Sequence, residues 1–397
     1  MMLPLAALTF VAWLAVVVAA RVIRGGPFVY FVGVLVGVYS LLAVSLAPAF
    51  RPVLPVFLAL HTSVYVNFVA LSRPRMRGLL FRVLVSWPAA FFVAGTFLAM
   101  PWGLLQAFGL RPWGAWVPYA LALVGLVQSL TTKRDVVDVV LSGTGDAPIE
   151  RLAPHPLGKH RESRPLRLVQ ISDPHLGPFM SVARLQRIAE RAVAAKPDLV
   201  LLTGDFLTME SQSDPELLLR ALEPFRALPG RVFACNGNHD HEAPAIVARA
   251  MRENGIELLV DQAREIETEA GNVQVIGADF VWRDRPAHLQ RVMIEHPRTP
   301  GTTRIVLLHD PGAFKDLPEG EGDLVLSGHT HGGQVGLLSL GLSWTFLRLF
   351  GVKLPDHGFW ARGTDRLYVH RGTGHYGFPL RLGVPAEESL LLVHRPA

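Results

Sequence analysis

The sequence predicts an α/β domain preceded by an all-α region that crosses a membrane. Three observations carry that prediction. Residues 1–134 hold ten Lys/Arg and no Asp or Glu, in long apolar runs. After residue 165, short apolar runs alternate with helix-patterned segments, the mark of a sheet covered by helices. Polar side chains able to bind metals gather just past those apolar runs, where α/β sheets place their ligands.

The chain has 397 residues, 50% of them hydrophobic, and a mean hydropathy of +0.32. Five apolar runs account for this: Leu3–Ala20, Phe28–Phe50, Val53–Leu71, Leu79–Met100 and Trp113–Leu130. Each is close to the ~20 residues a helix needs to span the hydrocarbon core. The basic residues between the runs alternate in density. Arg21 with Arg24, the Arg73–Arg77 cluster, and Lys133 with Arg134 mark rich loops, while Arg51 and Arg111 mark poor ones. The positive-inside rule then predicts a multi-pass inner-membrane protein, with its N-terminus outside and everything after residue 133 in the cytoplasm. The first run lacks a basic flank before it and is expected to be retained. His61 and Asn67, polar groups inside a run, are expected to hydrogen-bond between helices.

The formal net charge of +5 belongs to this N-terminal part. Ten of the 38 basic residues and none of the 33 acidic ones precede Asp135, so the remainder is net acidic. No groove for nucleic acid is expected from that balance. Fourteen of the fifteen histidines follow residue 150, which separates the chemistry from the apolar region. Cys235 is the only cysteine, which excludes an intrachain disulfide and suits a small core residue. Residues 135–165 read as a linker with an entry strand at Val136–Leu141, and with His155 and His160 solvated.

From residue 166 to 397 the elements follow in order. Leu166–Ser172 is a strand, and Ser181 caps a helix that runs to about Ala195. Asp198–Thr203 is a second strand, and Asp214-Pro215-Glu216 opens a helix to about Leu228. Val232–Cys235 is a third strand, with a helix over Pro244–Asn254 behind it. Extended runs at Glu257–Val260 and Val273–Ile276, a helix over Ala287–Glu295, and strands at Arg304–Leu308 and Asp323–Leu326 come next. Leu367–His370 and Ser389–Val393 close the domain.

Five strand ends deliver Asp173 and His175, Asp205, Asn238 and His239, His309, and His329 and His331. This mixture of carboxylate, imidazole and amide ligands suits borderline divalent metals, manganese, iron or zinc first among them. Without thiolates, a closed structural zinc site is disfavoured. Eight such residues exceed the needs of one metal; two metals bridged by a carboxylate would use them and activate a water.

Asp-x-His, Gly-Asp, Gly-Asn-His-Asp, a lone His and Gly-His-Thr-His, in that order, resemble the motif blocks of calcineurin-like metallophosphoesterases. The tail Arg371-Gly372-Thr373-Gly374 and the extended Gly-His-Thr-His-Gly-Gly-Gln form resemble the membrane-associated bacterial subgroup. The resemblance implies a β-sandwich flanked by helices and two divalent metal ions. It implies that Asp173, His175 and His331 hold the first metal. Asn238, His309 and His329 would hold the second, with Asp205 bridging. It makes His239 the catalytic histidine that stabilises phosphoryl oxygens or protonates the leaving group, and Asp240 the carboxylate that orients it. Pro174 departs from the aliphatic residue usual in the family, yet it suits an extended backbone. The implied reaction is in-line attack by a metal-bound hydroxide on a phosphodiester or pyrophosphate, with a lipid or nucleotide-lipid as the expected substrate. The competing expectation is a membrane sensor or scaffold whose metal domain is not catalytic.

Gly336–Phe350 is the remaining anomaly: it is densely apolar, and Arg348 is its only charge. It forms either a core helix or a hydrophobic lip that dips into the bilayer beside the metal site.

Overall fold

A computed structural model describes residues 2–141, 145–152 and 164–395, so His155 and His160 lie outside the described residues. The chain divides into two units. One comprises residues 1–130, 209–213 and 376–382; the other comprises residues 131–208, 214–375 and 383–397.

The first unit is helical. Three helical stretches are long and apolar enough to cross a membrane: Leu3–Ile23, Pro27–Leu71 and Leu79–Leu98. The second covers 45 residues and is broken at Ala47–Val53, a 3₁₀ segment with Pro52 inside it. Proline removes an amide donor and crowds the preceding turn, which explains the break. The fifth apolar run yields only the 13-residue helix Val117–Ser129, about 20 Å long at the α-helical rise and short of a ~30 Å hydrocarbon core. His61 does join helices: its ring bonds Tyr39 Oη at 2.8 Å and Thr9 Oγ1 at 3.0 Å. The Asn67 side chain, half-buried, makes no such bond among the described residues.

The second unit is a sandwich of two mixed sheets. Its strands are β1 (Lys133–Val140), β2 (Gly145–Arg151), β3 (Leu166–Ile171), β4 (Leu199–Thr203), β5 (Val232–Cys235), β6 (Glu257–Leu258), β7 (Gln262–Thr268), β8 (Gly271–Gly277), β9 (Thr303–Leu307), β10 (Leu324–Ser327), β11 (Gly358–Gly363), β12 (Asp365–Val369) and β13 (Glu387–His394). One sheet runs β1-β13-β3-β4-β5-β6 and the other β2-β11-β12-β10-β9-β8-β7. Strands β3 to β6 are mutually parallel, as are β8, β9, β10 and β12. Alternation sorts their side chains. Leu166, Leu168, Leu199 and Leu201 point between the sheets and meet Ile305, Leu307, Leu324 and Leu326. Val169, Ile171, Val200 and Leu202 point outward under the helices Val182–Ala194, Pro215–Leu222 and Pro244–Glu253. Arg285–Glu295 covers the far face of the second sheet through Leu289, Val292 and Met293. These strands are buried on both faces, which is why they read as continuous apolar runs.

The structure differs from the sequence reading at several points. Residues 135–165 read as a linker with one entry strand, yet β1 and β2 each form an edge strand, one in each sheet. The helix expected to reach Leu228 changes to a 3₁₀ turn at Glu223, where Pro224 interrupts it. Strands β7 and β11 were not foreseen, because one is a polar edge and the other holds two glycines. Gly336–Phe350 is not a core helix. It holds only a 3₁₀ turn at Leu338–Leu340 and one α-helical turn at Phe346–Leu349, and Leu340, Leu342, Trp344, Phe346, Leu349 and Phe350 are exposed.

A buried ion cluster ties β12 and β13 to β1. Arg371 Nε lies 2.8 Å from Glu387, and its other arm meets Asp135. Tyr368 and Ser389 hydroxyls also donate to Glu387. Burial opposes the charge, but Arg371 holds the Glu387 carboxyl far below its ordinary 4.5. Glu387→Gln should therefore lose about 1–3 kcal/mol of stability at neutral pH, because it removes the buried partner of Arg371 Nε and leaves Asp135 as the carboxylate facing that guanidinium. Because the folded pKa is depressed, the Glu387 contribution is full above about pH 4.5 and fades as pH falls below it. Melting of both proteins across pH should show the gap narrowing in acid; a constant gap contradicts this.

Candidate metal centre

Every predicted site residue sits just beyond the end of a parallel strand. Asp173 and His175 follow β3, Asp205 follows β4, and Asn238 and His239 follow β5. His309 follows β9, and His329 and His331 follow β10. Gln170 knits these ends together: its amide donates to Thr203 Oγ1 at 3.1 Å and to the Ser327 carbonyl at 3.0 Å.

The side chains converge in two groups. Asp173, His175 and His331 present ligand atoms within 4.8 Å of one another, and so do Asp205, His309 and His329. Asp205 faces both, with Oδ2 3.3 Å from His309 Nε2 and 3.6 Å from His175 Nε2. Its Oδ1 accepts the His239 backbone N–H at 2.9 Å. The His239 ring centroid lies 5.6 Å from that of His175. Asn238 Oδ1 is buried and accepts no hydrogen bond among the described residues.

The outer contacts orient the ligands. His309 Nδ1 sits 2.6 Å from the Thr203 carbonyl and His175 Nδ1 3.2 Å from the Leu207 carbonyl. A proton on Nδ1 satisfies each carbonyl and turns the Nε2 lone pair into the site. Asp173 accepts from Ser172 Oγ at 2.5 Å and from the His329 N–H at 3.0 Å. The backbone is strained to this end. Asp173, His175, Asp205, His329 and His331 all have φ between 44° and 64°, five of the nine described non-glycine residues with positive φ. Such conformations cost of order 1–3 kcal/mol each and persist where function selects them.

The electrostatics match. Burial pushes the Asp173 carboxyl up to about 6. Against burial, His309 and His175 hold Asp205 well below the usual carboxylate range. Burial likewise opposes charge on His309, yet Asp205 raises its pKa to about 10, so without a metal its Nε2 holds a proton toward Asp205 that a bound cation would displace. Burial lowers His175 and His329 to about 4, leaving both neutral and competent as ligands. Imidazole nitrogens facing carboxylate oxygens across 3.3–3.6 Å, beside an unsatisfied amide oxygen, fit divalent cations.

One assignment changes. Asp240 does not act as the orienter of His239. Its carboxylate accepts backbone N–H groups from Asp205 (2.7 Å), Gly237 (2.8 Å) and Phe206 (2.9 Å), which places it under the Asp205 loop. His239 Nδ1 instead bonds Glu242 Oε1 at 2.8 Å, three residues on in the turn. Two further neighbours adjoin the site: Phe280, which the sequence does not single out, and the Arg371–Gly374 tail, which it marks only as a family resemblance. Phe280 packs 6.2 Å from both His309 and His329. The tail donates through Thr373 N–H to the Ser172 carbonyl (2.8 Å) and through Gly374 N–H to the Asp173 carbonyl (2.9 Å). The Gly-Thr-Gly spacing was its only signal.

Residues 166–333 match the calcineurin-like phosphoesterase family. The chain is 28% identical to "Phosphodiesterase YaeI" of Escherichia coli, over 57% of this chain and 82% of that one. It is 31% identical to the "Transmembrane protein with metallophosphoesterase domain" of Danio rerio, over 67% of this chain and 59% of the relative. The Bos taurus protein of that name is 26% identical over 86% of this chain and 80% of the relative. The chain thus spans about three fifths of the zebrafish protein's length. The two ligand groups and the matched motif blocks together mark residues 166–333 as a calcineurin-like, metal-dependent phosphoesterase domain, in a chain that also carries apolar N-terminal helices.

Proposed function

We propose that the chain is a membrane-anchored, dinuclear-metal phosphohydrolase acting on a phosphodiester or pyrophosphate carried by a lipid or nucleotide-lipid. The observation that carries this reading is Asp205 set between two ligand groups. In it, Asp173, His175 and His331 hold one divalent ion, Asn238, His309 and His329 hold the other, and Asp205 is shared. Bound metals supply Lewis acidity to the phosphoryl oxygens and lower the pKa of a bound water. His239, with Nδ1 fixed by Glu242, directs Nε2 toward a phosphoryl or leaving-group oxygen and offsets charge there. The diester preference is supported by the name of the Escherichia coli relative.

Manganese-loaded protein in detergent is expected to hydrolyse bis(p-nitrophenyl) phosphate. His239→Ala should lose about 10²–10⁴-fold in kcat while keeping its metal. A variant with wild-type turnover defeats the assignment.

The reading also places the catalytic unit in the cytoplasm, because Arg73–Arg77 and Lys133-Arg134 would then share one side. That needs the region from Leu79 to Leu130 to make two passes, the second through the short Val117–Ser129 helix. An export-dependent phosphatase reporter fused after Lys133 should stay inactive; strong activity would put the domain outside.

A further inference from the structure

The apolar segment after the metal loop forms an arm. Val335 and Gly336 run against Thr345 and Phe346: the Phe346 N–H donates to the Val335 carbonyl, and the Leu337 N–H to that of Trp344, both at 2.8 Å. The arm's base is bolted to the metal loop through one residue. Thr330 Oγ1, between the two site histidines, donates to the Asp356 carbonyl at 2.6 Å. Thr345 Oγ1 donates to the Asp356 carboxylate, also at 2.6 Å. Beyond that base the arm turns its apolar side chains outward. Leu340 is 73% exposed, Phe350 67%, Leu349 66% and Trp344 58%.

We propose that this arm, residues 336–353, inserts into the headgroup–acyl boundary of an anionic bilayer and holds the catalytic site at the lipid surface. Leucine, tryptophan and phenylalanine are the residues that interfacial elements bury. From Gly336 to Pro355 the charged residues are Arg348, which pairs with Asp356 at the base across 3.4 Å, and the exposed Lys353, whose positive charge complements lipid phosphates. The same chain carries membrane-length apolar helices, joined to the catalytic unit by Leu130-Thr131-Thr132. A bilayer is therefore the one partner always present at high local concentration. For its consequence on substrate choice, the inference rests on the phosphohydrolase reading above.

The test separates the two. Cys235 is buried, so Leu340→Cys provides one accessible thiol for an environment-sensitive fluorophore. In nanodiscs of phosphatidylglycerol and phosphatidylcholine, nitroxide-labelled lipids are expected to quench it by more than half, while aqueous iodide has little effect. Absence of nitroxide quenching overturns the proposal, whether iodide then reaches the label or a second copy of the chain covers it. A Leu349→Ser/Phe350→Ser variant should hydrolyse vesicle-borne hexadecyl p-nitrophenyl phosphate about tenfold more slowly. Its hydrolysis of bis(p-nitrophenyl) phosphate in solution should not change. Equal loss on both substrates counts against the arm. Failure of the wild type on both would sink the phosphohydrolase reading and leave the quenching result to decide the arm.

Discussion

Asp205→Asn is expected to fold normally and to lose on the order of 10³-fold in diester turnover. The amide matches the carboxylate in shape and can still accept the His239 N–H through its oxygen. It removes the negative charge that faces His309 and His175, and it puts an NH₂ group where Oδ2 approached both imidazoles. A shared anion lost at that point weakens both proposed metal positions at once. Metal analysis of the purified variant should show well under two ions per chain in matched buffers. Retention of two ions with near-normal turnover would refute the bridging role.

Gly374→Ala should act on folding rather than on chemistry. A Cβ built at Gly374 falls 2.0 Å from the Pro174 carbonyl oxygen and 3.1 Å from that of Asp173. Both obstacles are backbone, so no side-chain rotation relieves them. The tail must leave, and the amides of Thr373 and Gly374 then abandon the carbonyls of Ser172 and Asp173. Overpacking of this kind costs about 1–3 kcal/mol or more, and here it also unseats a strained loop. Thermal unfolding in detergent should shift down, and metal affinity should fall with it. Wild-type melting and affinity would show that the tail does not support the loop.

What the sequence could and could not disclose has a physical pattern. Strands β3, β4, β5, β9 and β10 are apolar on both faces, so composition alone marks them. Each ends in a short polar motif, which made the residues the structure brings together readable one strand at a time. Edges are different. Gln262–Thr268 pairs only with β8 and stays half in solvent, so it has no apolar signature. Contacts between distant segments were also out of reach. Asp240 follows His239 in sequence, yet its carboxylate turns toward amides of the Asp205 loop. The acid bonded to His239 is Glu242, one turn further on. The apolar stretch after His331 posed a choice that composition could not make. Side-chain exposure excludes the core helix, which would have hidden Leu340 and Phe350.

The ligand groups are not divided the way the metals would be. Asp173, His175, Asp205 and Asn238 descend from one sheet, and His309, His329 and His331 from the other. Each proposed ion therefore draws on both halves of the sandwich and works as a rivet through two plates. Metal affinity then measures how well the sheets are aligned. A substitution in the apolar layer between them, far from any ligand, should loosen both ions together. Conversely, at about 100 times Kd each ion adds ~2.7 kcal/mol to the union of the sheets. Chelation should therefore lower the melting temperature of the whole catalytic unit in one cooperative step.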